Sequence, residues 1–159
     1  MFIDKRWQRL TPEQWDAFAR DWLADIRESA GKPENVGAEG AGEETRDPGA
    51  PLAVGDRETM MEFTSRPEEQ WAFIRAAMVR AETDDELGAI AAGPVEHLLG
   101  WHGAEAIDQV EQWAANDAKV ARMLAGVWQY MMSDDLWARV RVIQRRVTDP
   151  LSAYRPEEP

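Results

Sequence analysis

Residues 11–29, TPEQWDAFARDWLADIRES, place Trp15, Phe18, Trp22 and Ile26 at spacings of three and four, with Leu23 beside them and charge on the opposite side. That spacing predicts an amphipathic helix, because positions three and four apart share one helical face. Thr11 is the expected cap, Pro12 fits the first helical position, and Gln14 completes a capping box. A second helix is expected over residues 66–81, with Trp71, Ile74, Met78 and Ala81 on its apolar face beside Phe73 and Ala77, behind a capping box at Ser65 to Glu68. A third opens on the box TDDE at Thr83 to Glu86, directing Leu87, Ile90, Ala91, Val95, Leu98 and Leu99 to the core. Three further stripes follow: Ile107, Val110, Trp113 and Ala114 over 104–115; Val120, Met123, Leu124, Val127 and Met131 behind a cap at Asp117; and Leu136, Val140, Ile143 and Val147 behind SDD at 133–135. Pro150 ends the last helix.

Between the first two helices the chain reads GKPENVGAEGAGEETRDPGAPLAVGD, rich in Gly and Pro and poor in large apolar groups. Ordering such a segment costs backbone entropy that little burial offsets, so residues 31–56 are expected to form a flexible acidic loop. Strand alternation is limited to a weak candidate at Thr59 to Phe63. The pattern predicts an all-α fold of about six helices, an irregular antiparallel bundle or a set of short stacked helical hairpins. The expected organisation is an N-terminal helix (1–30) packing on the main domain, a loop (31–64), a helical domain (65–148) and a polar tail (149–159).

The stretch AAGPVEHLLGWHG, residues 91–103, holds both histidines, three of the eleven glycines and a proline. Pro94 has no N–H for Ile90 and its ring crowds that carbonyl, so a kink or a fresh start is expected, with Gly93 as cap and Pro94 as first residue. Glu96 would then stand in a first turn, where a carboxylate is favoured. The small residues Gly88, Ala89, Ala91, Ala92 and Gly93 are expected to admit a neighbouring helix closely. His102 followed by Gly103 reads as a helix stop.

The same stretch holds the main chemical candidates. Glu96, His97 and His102 form the weak catalytic set, but the histidines are five apart, beyond the four-residue spacing of a helical metal pair. An acid–base or metal-assisted hydrolase built on them would need a further carboxylate such as Glu105 or Asp108. Ser65 and Ser133 are better explained as caps than as nucleophiles, and no phosphate-binding glycine loop occurs. Arg139, Arg141, Arg145 and Arg146 form a basic cluster in the last helix, of which Arg141 and Arg145 are candidate binding residues. No cofactor and no metal site is expected.

Composition narrows the classes. A chain of 159 residues suits one domain with a substantial core. Most of the eight Trp belong at helical spacing in that core, whereas Trp101 and Trp128 are candidate binding residues. The absence of Cys excludes disulfides and thiolate chemistry. A net charge of -12 disfavours nucleic acid and favours a basic protein partner. The charged start MFIDKRWQRL is no signal peptide, and no run approaches a membrane span, so a cytoplasmic, membrane-free protein is expected.

The segments PEEQWAFI, DDELGAIAAGPVEHLLGWHG and VWQYMMSDDLW resemble the signature of an uncharacterised bacterial family classed as a domain of unknown function. Its DELGxIAAGPxExLLxxHG pattern singles out Gly88, Gly93, Pro94, Glu96, His102 and Gly103. The resemblance implies a small helical bacterial domain and assigns none of these residues a chemical role. The functional expectation is a non-enzymatic acidic protein-interaction domain of immunity or antitoxin type. The alternatives are the small hydrolase using Glu96, His97 and His102, and a scaffold that dimerises through exposed Trp.

Overall fold

The computed structural model describes residues 10–30 and 66–151. The expected loop at 31–64, the strand candidate, Ser65 and the tail beyond 151 lie outside the described residues. Six α-helical segments occur: α1 (Pro12–Ala30), α2 (Pro67–Arg80), α3 (Asp84–Ile90), α4 (Glu96–Asn116), α5 (Ala118–Leu124) and α6 (Asp134–Arg146). A π-helical turn, Ala91–Val95, joins α3 to α4, so the described residues form five helical units where about six helices are expected. No strand occurs among the described residues, and the fold is all-α. None of the described helices is long and apolar enough to cross a membrane.

Three caps form where the sequence places them. Thr11 and Gln14 exchange backbone N–H to side-chain bonds, 2.9 and 3.2 Å. Asp117 accepts from the amides of Lys119 and Val120, and Ser133 from that of Leu136. The box before α3 is altered: Thr83 accepts from the Glu86 amide, but the Glu86 carboxylate reaches back to the amide of Glu82. The start of α2 differs as well. Arg66, not Ser65, is the N-cap and makes no side-chain cap bond, because Pro67 takes the first helical position that its fixed φ and missing N–H suit.

The core is an aromatic seam between α1 and α2, extended by the aliphatic faces of α3, α4 and α5. Phe73 meets Phe18 and Trp22 edge-on, with ring centroids 5.1 and 5.3 Å apart. Edge-to-face geometry sets the positive ring edge against the negative ring face. Ile90, Leu98, Leu99, Ile107, Val120 and Leu124 are fully buried around this seam.

One expectation about a helix end fails and another is met by a kink. The helix expected to carry Val127 and Met131 stops at Leu124, where Ala125 and Gly126 turn the chain. A Cβ on Gly126 would stand 2.9 Å from Leu151 and 3.3 Å from Ala91. Gln144 of α6 donates to the carbonyls of Leu124 and Val127, at 2.9 and 2.8 Å, and so satisfies the freed end of α5. The stop expected at His102 is met by a break in the helical dihedrals (φ -132°, ψ 23°): one helical stretch of α4 ends in a kink there and a second runs on to Asn116. Gly103 must lack a side chain because Leu136 of α6 seats on it, with Cδ2 2.1 Å from the point a Cβ would occupy.

Ion pairs tie neighbouring helices. Arg80 of α2 grips Asp16 of α1 at 2.5 and 2.6 Å, Arg122 of α5 grips Asp84 of α3, and Arg139 of α6 grips Glu111 and Asp108 of α4. The most buried is Arg27 to Glu86, at 2.8 and 3.2 Å, whose glutamate side chain is fully enclosed while the arginine stays half exposed. Burial alone would raise the Glu86 carboxyl, but Arg27, the Glu82 amide and Thr83 together hold it below the ordinary range. A depressed carboxylate adds stability above its unfolded value and loses it as pH falls through its folded value. Glu86→Gln is therefore expected to lower stability at pH 7 by about 3 kcal/mol. Urea titrations at pH 7 and pH 3 check this, with the gap between variant and wild type closing at the lower pH.

Candidate functional site

Pro94 sits inside a helix that does not end. The residues on either side of the π turn keep right-handed helical dihedrals, from Ile90 (φ -63°, ψ -43°) to Glu96 (φ -60°, ψ -41°). A π turn reaches back five residues, and the Glu96 amide accordingly meets the Ala91 carbonyl, which widens the helix around the proline ring. The buried Gln70 of α2 donates Nε2 to the Pro94 carbonyl at 2.9 Å and anchors the bulge from outside. The expected fresh start at Gly93 is thus replaced by a continuous widened turn, and Glu96 is a mid-helix residue, not a first-turn one.

Glu96 has a different partner. Its Oε1 accepts the backbone N–H of Trp128 at 2.8 Å, across 32 positions of sequence, and so fastens the chain that follows α5. Burial raises the Glu96 carboxyl above the ordinary glutamate value, and the Trp128 N–H opposes that rise. His97 presses against Tyr130 edge-on, centroids 5.3 Å apart. At Gly100 a Cβ would stand 2.6 Å from the Tyr130 carbonyl oxygen and 3.3 Å from Met131 Cβ, so the glycine lets the loop backbone lie on α4. Gln129 closes the loop from within, donating Nε2 to the Met132 carbonyl at 3.2 Å and to Asp134 at 3.1 Å.

The loop held in this way presents apolar side chains outward. Trp128 and Met131 are each 59% exposed, Trp101 55% and Tyr130 41%. Trp101 stands four residues after His97 and shares its helical face, on the side of α4 where the loop lies. Met131 has φ 53°, the left-handed region that a branched or long side chain enters at a cost of about 1–2 kcal/mol. A strained, solvent-facing methionine fixed by surrounding contacts is the kind of feature that binding surfaces retain. Nothing in the hydrophobic pattern marks Tyr130 or Met131: they fit the stripe of a continuing helix, and only Gly126 signals that the helix stops first.

The catalytic set does not assemble. His97 and His102, five residues apart, point about 140° away from each other on a helix, and His102 lies partly buried at the kink. The Glu96 carboxylate is engaged by the Trp128 amide. Asp108 is taken by Arg139 at 2.6 Å, about three turns beyond Glu96, and Glu105 points to solvent. Among the described residues no group of three or more His, Asp or Glu side chains is placed to hold a metal ion. Arg141 lies over the Trp137 ring, 5.8 Å from its centroid, and Arg145 is exposed one turn further on. The small-residue expectation also shifts: a Cβ at Gly88 or Gly93 would meet nothing within 4 Å, and the close approaches fall at Gly100, Gly103 and Gly126 instead.

Two outcomes follow from these contacts. Gly100→Ala, which drives a methyl into a backbone carbonyl, is expected to cost about 1–3 kcal/mol and to shift the Trp128–Met132 resonances. Gly88→Ala fills open space on a helix and is expected to add about 0.5–1 kcal/mol, both read from thermal unfolding. For Glu96 the sign is set by its raised value: stability contributed by the protonated form is lost as pH climbs from the ordinary glutamate range through the higher folded one. The Trp128 amide resonance is expected to titrate above the ordinary glutamate range in the wild type and to stay flat in Glu96→Gln.

No curated protein and no solved structure matches the chain. One family model does, over residues 50–148, well over half of the sequence and all of α2 to α6. Its span contains the π turn, the Glu96 fastening and the exposed loop. The chain belongs to the family of unknown function DUF6869.

Proposed function

We propose that this domain is a non-enzymatic interaction module of the bacterial cytoplasm that grips a basic protein partner through Trp101, Trp128, Tyr130 and Met131. The observation that carries the reading is the loop itself: Trp128, Tyr130 and Met131 stand largely in solvent on a backbone that Glu96, Gly100 and Gln129 fix in advance, with Trp101 exposed on α4. Pre-organisation spares the ordering entropy that an interface otherwise loses on binding. Indole, phenol and thioether groups supply most of the energy in such contacts. Exposed Asp134 and Asp135 follow the loop, and the chain carries -12 overall, which steers basic partners and repels nucleic acid. A basic toxin or nuclease held inactive in this way is the immunity or antitoxin form of the proposal.

The full chain, immobilised in lysate of its native host at low salt, is expected to retain one basic protein that elutes as salt is raised. Trp128→Ala is expected to weaken that complex by about 2 kcal/mol while leaving Tm nearly unchanged, since the side chain is exposed. Met131→Gly is expected to raise stability by about 1 kcal/mol through relief of the left-handed strain, yet to weaken binding. A chain that stays alone at both salt concentrations contradicts the proposal.

A further inference from the structure

At the other end of α4, about 20 Å from Gly100 along the helix axis, α4, α5 and α6 enclose a cleft of about 900 Å³. It exists because the facing helices carry small residues where they would otherwise fill the gap. Ala114, Ala118 and Ala121 form one wall, and Val142, Ile143 and Val147 the other. A cleft of this size with an apolar lining and a few polar groups at its mouth suits a small organic ligand.

The mouth decides which kind. Six charged side chains line it, and five are already neutralised. Arg139 is bound by Glu111 and Asp108, and Arg122 is bound by Asp84 and approached by Asp149 at 3.4 Å. Arg146 makes no ion pair or hydrogen bond with any described residue, and it stands seven residues after Arg139 on the same face of α6. Thr148 and Gln112 add a hydroxyl and an amide to the lining of the cleft. Arg141 and Arg145 do not line the cleft; the basic cluster of the last helix is divided between two faces, and only Arg139 and Arg146 turn inward. We infer that this cleft binds a small amphipathic monoanion, its carboxylate on Arg146 and its aliphatic or aromatic body against Ala114, Ala118, Ala121, Val142 and Ile143. The uncommitted charge is positive in a chain of net charge -12, so it selects an anion against the long-range field of the protein. A guanidinium with a carboxylate makes the charge-assisted, two-pronged contact that fixes orientation.

Calorimetric titration of the full chain with sodium decanoate tests this, with decyltrimethylammonium as the probe of equal length and opposite charge. Decanoate is expected to bind saturably at one site and the cation to give no saturable heat. Arg146→Ala is expected to weaken decanoate about tenfold. Val142→Glu, at a position 44% exposed where folding is not at risk, is expected to abolish binding by placing a carboxylate in the wall. Should either variant lose its helical circular dichroism, Ala118→Met, also at an exposed position, narrows the same cleft and is expected to weaken binding. Absence of saturable decanoate binding at millimolar concentration, equal binding of the cation, or undiminished binding in the folded variants overturns the inference.

Discussion

Pro94 imposes the constraint on which the rest depends. A proline in the middle of a helix removes one hydrogen bond and pushes its ring at the carbonyl four residues back, and most chains answer with a break. Here the chain answers with a π turn, which keeps α3 continuous with α4 from Asp84 as far as the kink at His102 and adds a residue's worth of rotation between them. That rotation sends Leu98 and Leu99 into the core while Glu96 faces the loop after α5. Gln70 completes the device: its buried Nε2 donates to the carbonyl of the proline itself, while its Oε1 finds no partner among the described residues.

The ion pairs add orientation to this frame. Each joins two helices that the hydrophobic core also brings together: α1 to α2, α1 to α3, α3 to α5, and α4 to α6. Half-exposed pairs contribute little stability singly, and their use is in register, since a bidentate guanidinium contact is satisfied in only one alignment. Glu86 is the exception because it is enclosed; its carboxylate serves the α3 cap and the α1 contact at once. Fixing α1 against the α3–α4 rod leaves the exposed loop and the alanine-walled cleft at opposite ends of α4, so each stands free of the other.

Much of the fold was legible in the residues. Apolar stripes at spacings of three and four placed every helix, and Thr11, Thr83, Asp117 and Ser133 marked their starts, because caps and stripes are local and each reports on its own turn. The failures were tertiary. Val127 and Met131 continue the α5 stripe in sequence, yet Gly126 and the Gln144 amide end the helix before them. His102 next to Gly103 does mark a break in the helical dihedrals, but the reason for the glycine is distant: Leu136, more than thirty positions later, leaves no room for a side chain there. Of the candidate site residues, Trp101 and Trp128 stand on the surface, while Glu96 and His97 hold the loop from beneath. A long-range carboxylate-to-amide bond leaves no signature in spacing, and neither does the division of four arginines between two faces of α6.

The motif AAGPVEHLLGWHG is a clamp on a displayed loop, with Glu96 as its fastening. Amide hydrogen exchange of the full chain at neutral pH is the sharpest check, because Trp128 is an exposed residue outside any helix and its amide is protected only if the half-buried Glu96 carboxylate holds it. The account predicts that the Trp128 amide exchanges at least about tenfold more slowly than those of Gln129 and Tyr130, in keeping with a local opening cost above about 1.4 kcal/mol. Exchange of Trp128 at the rate of its two neighbours would contradict it.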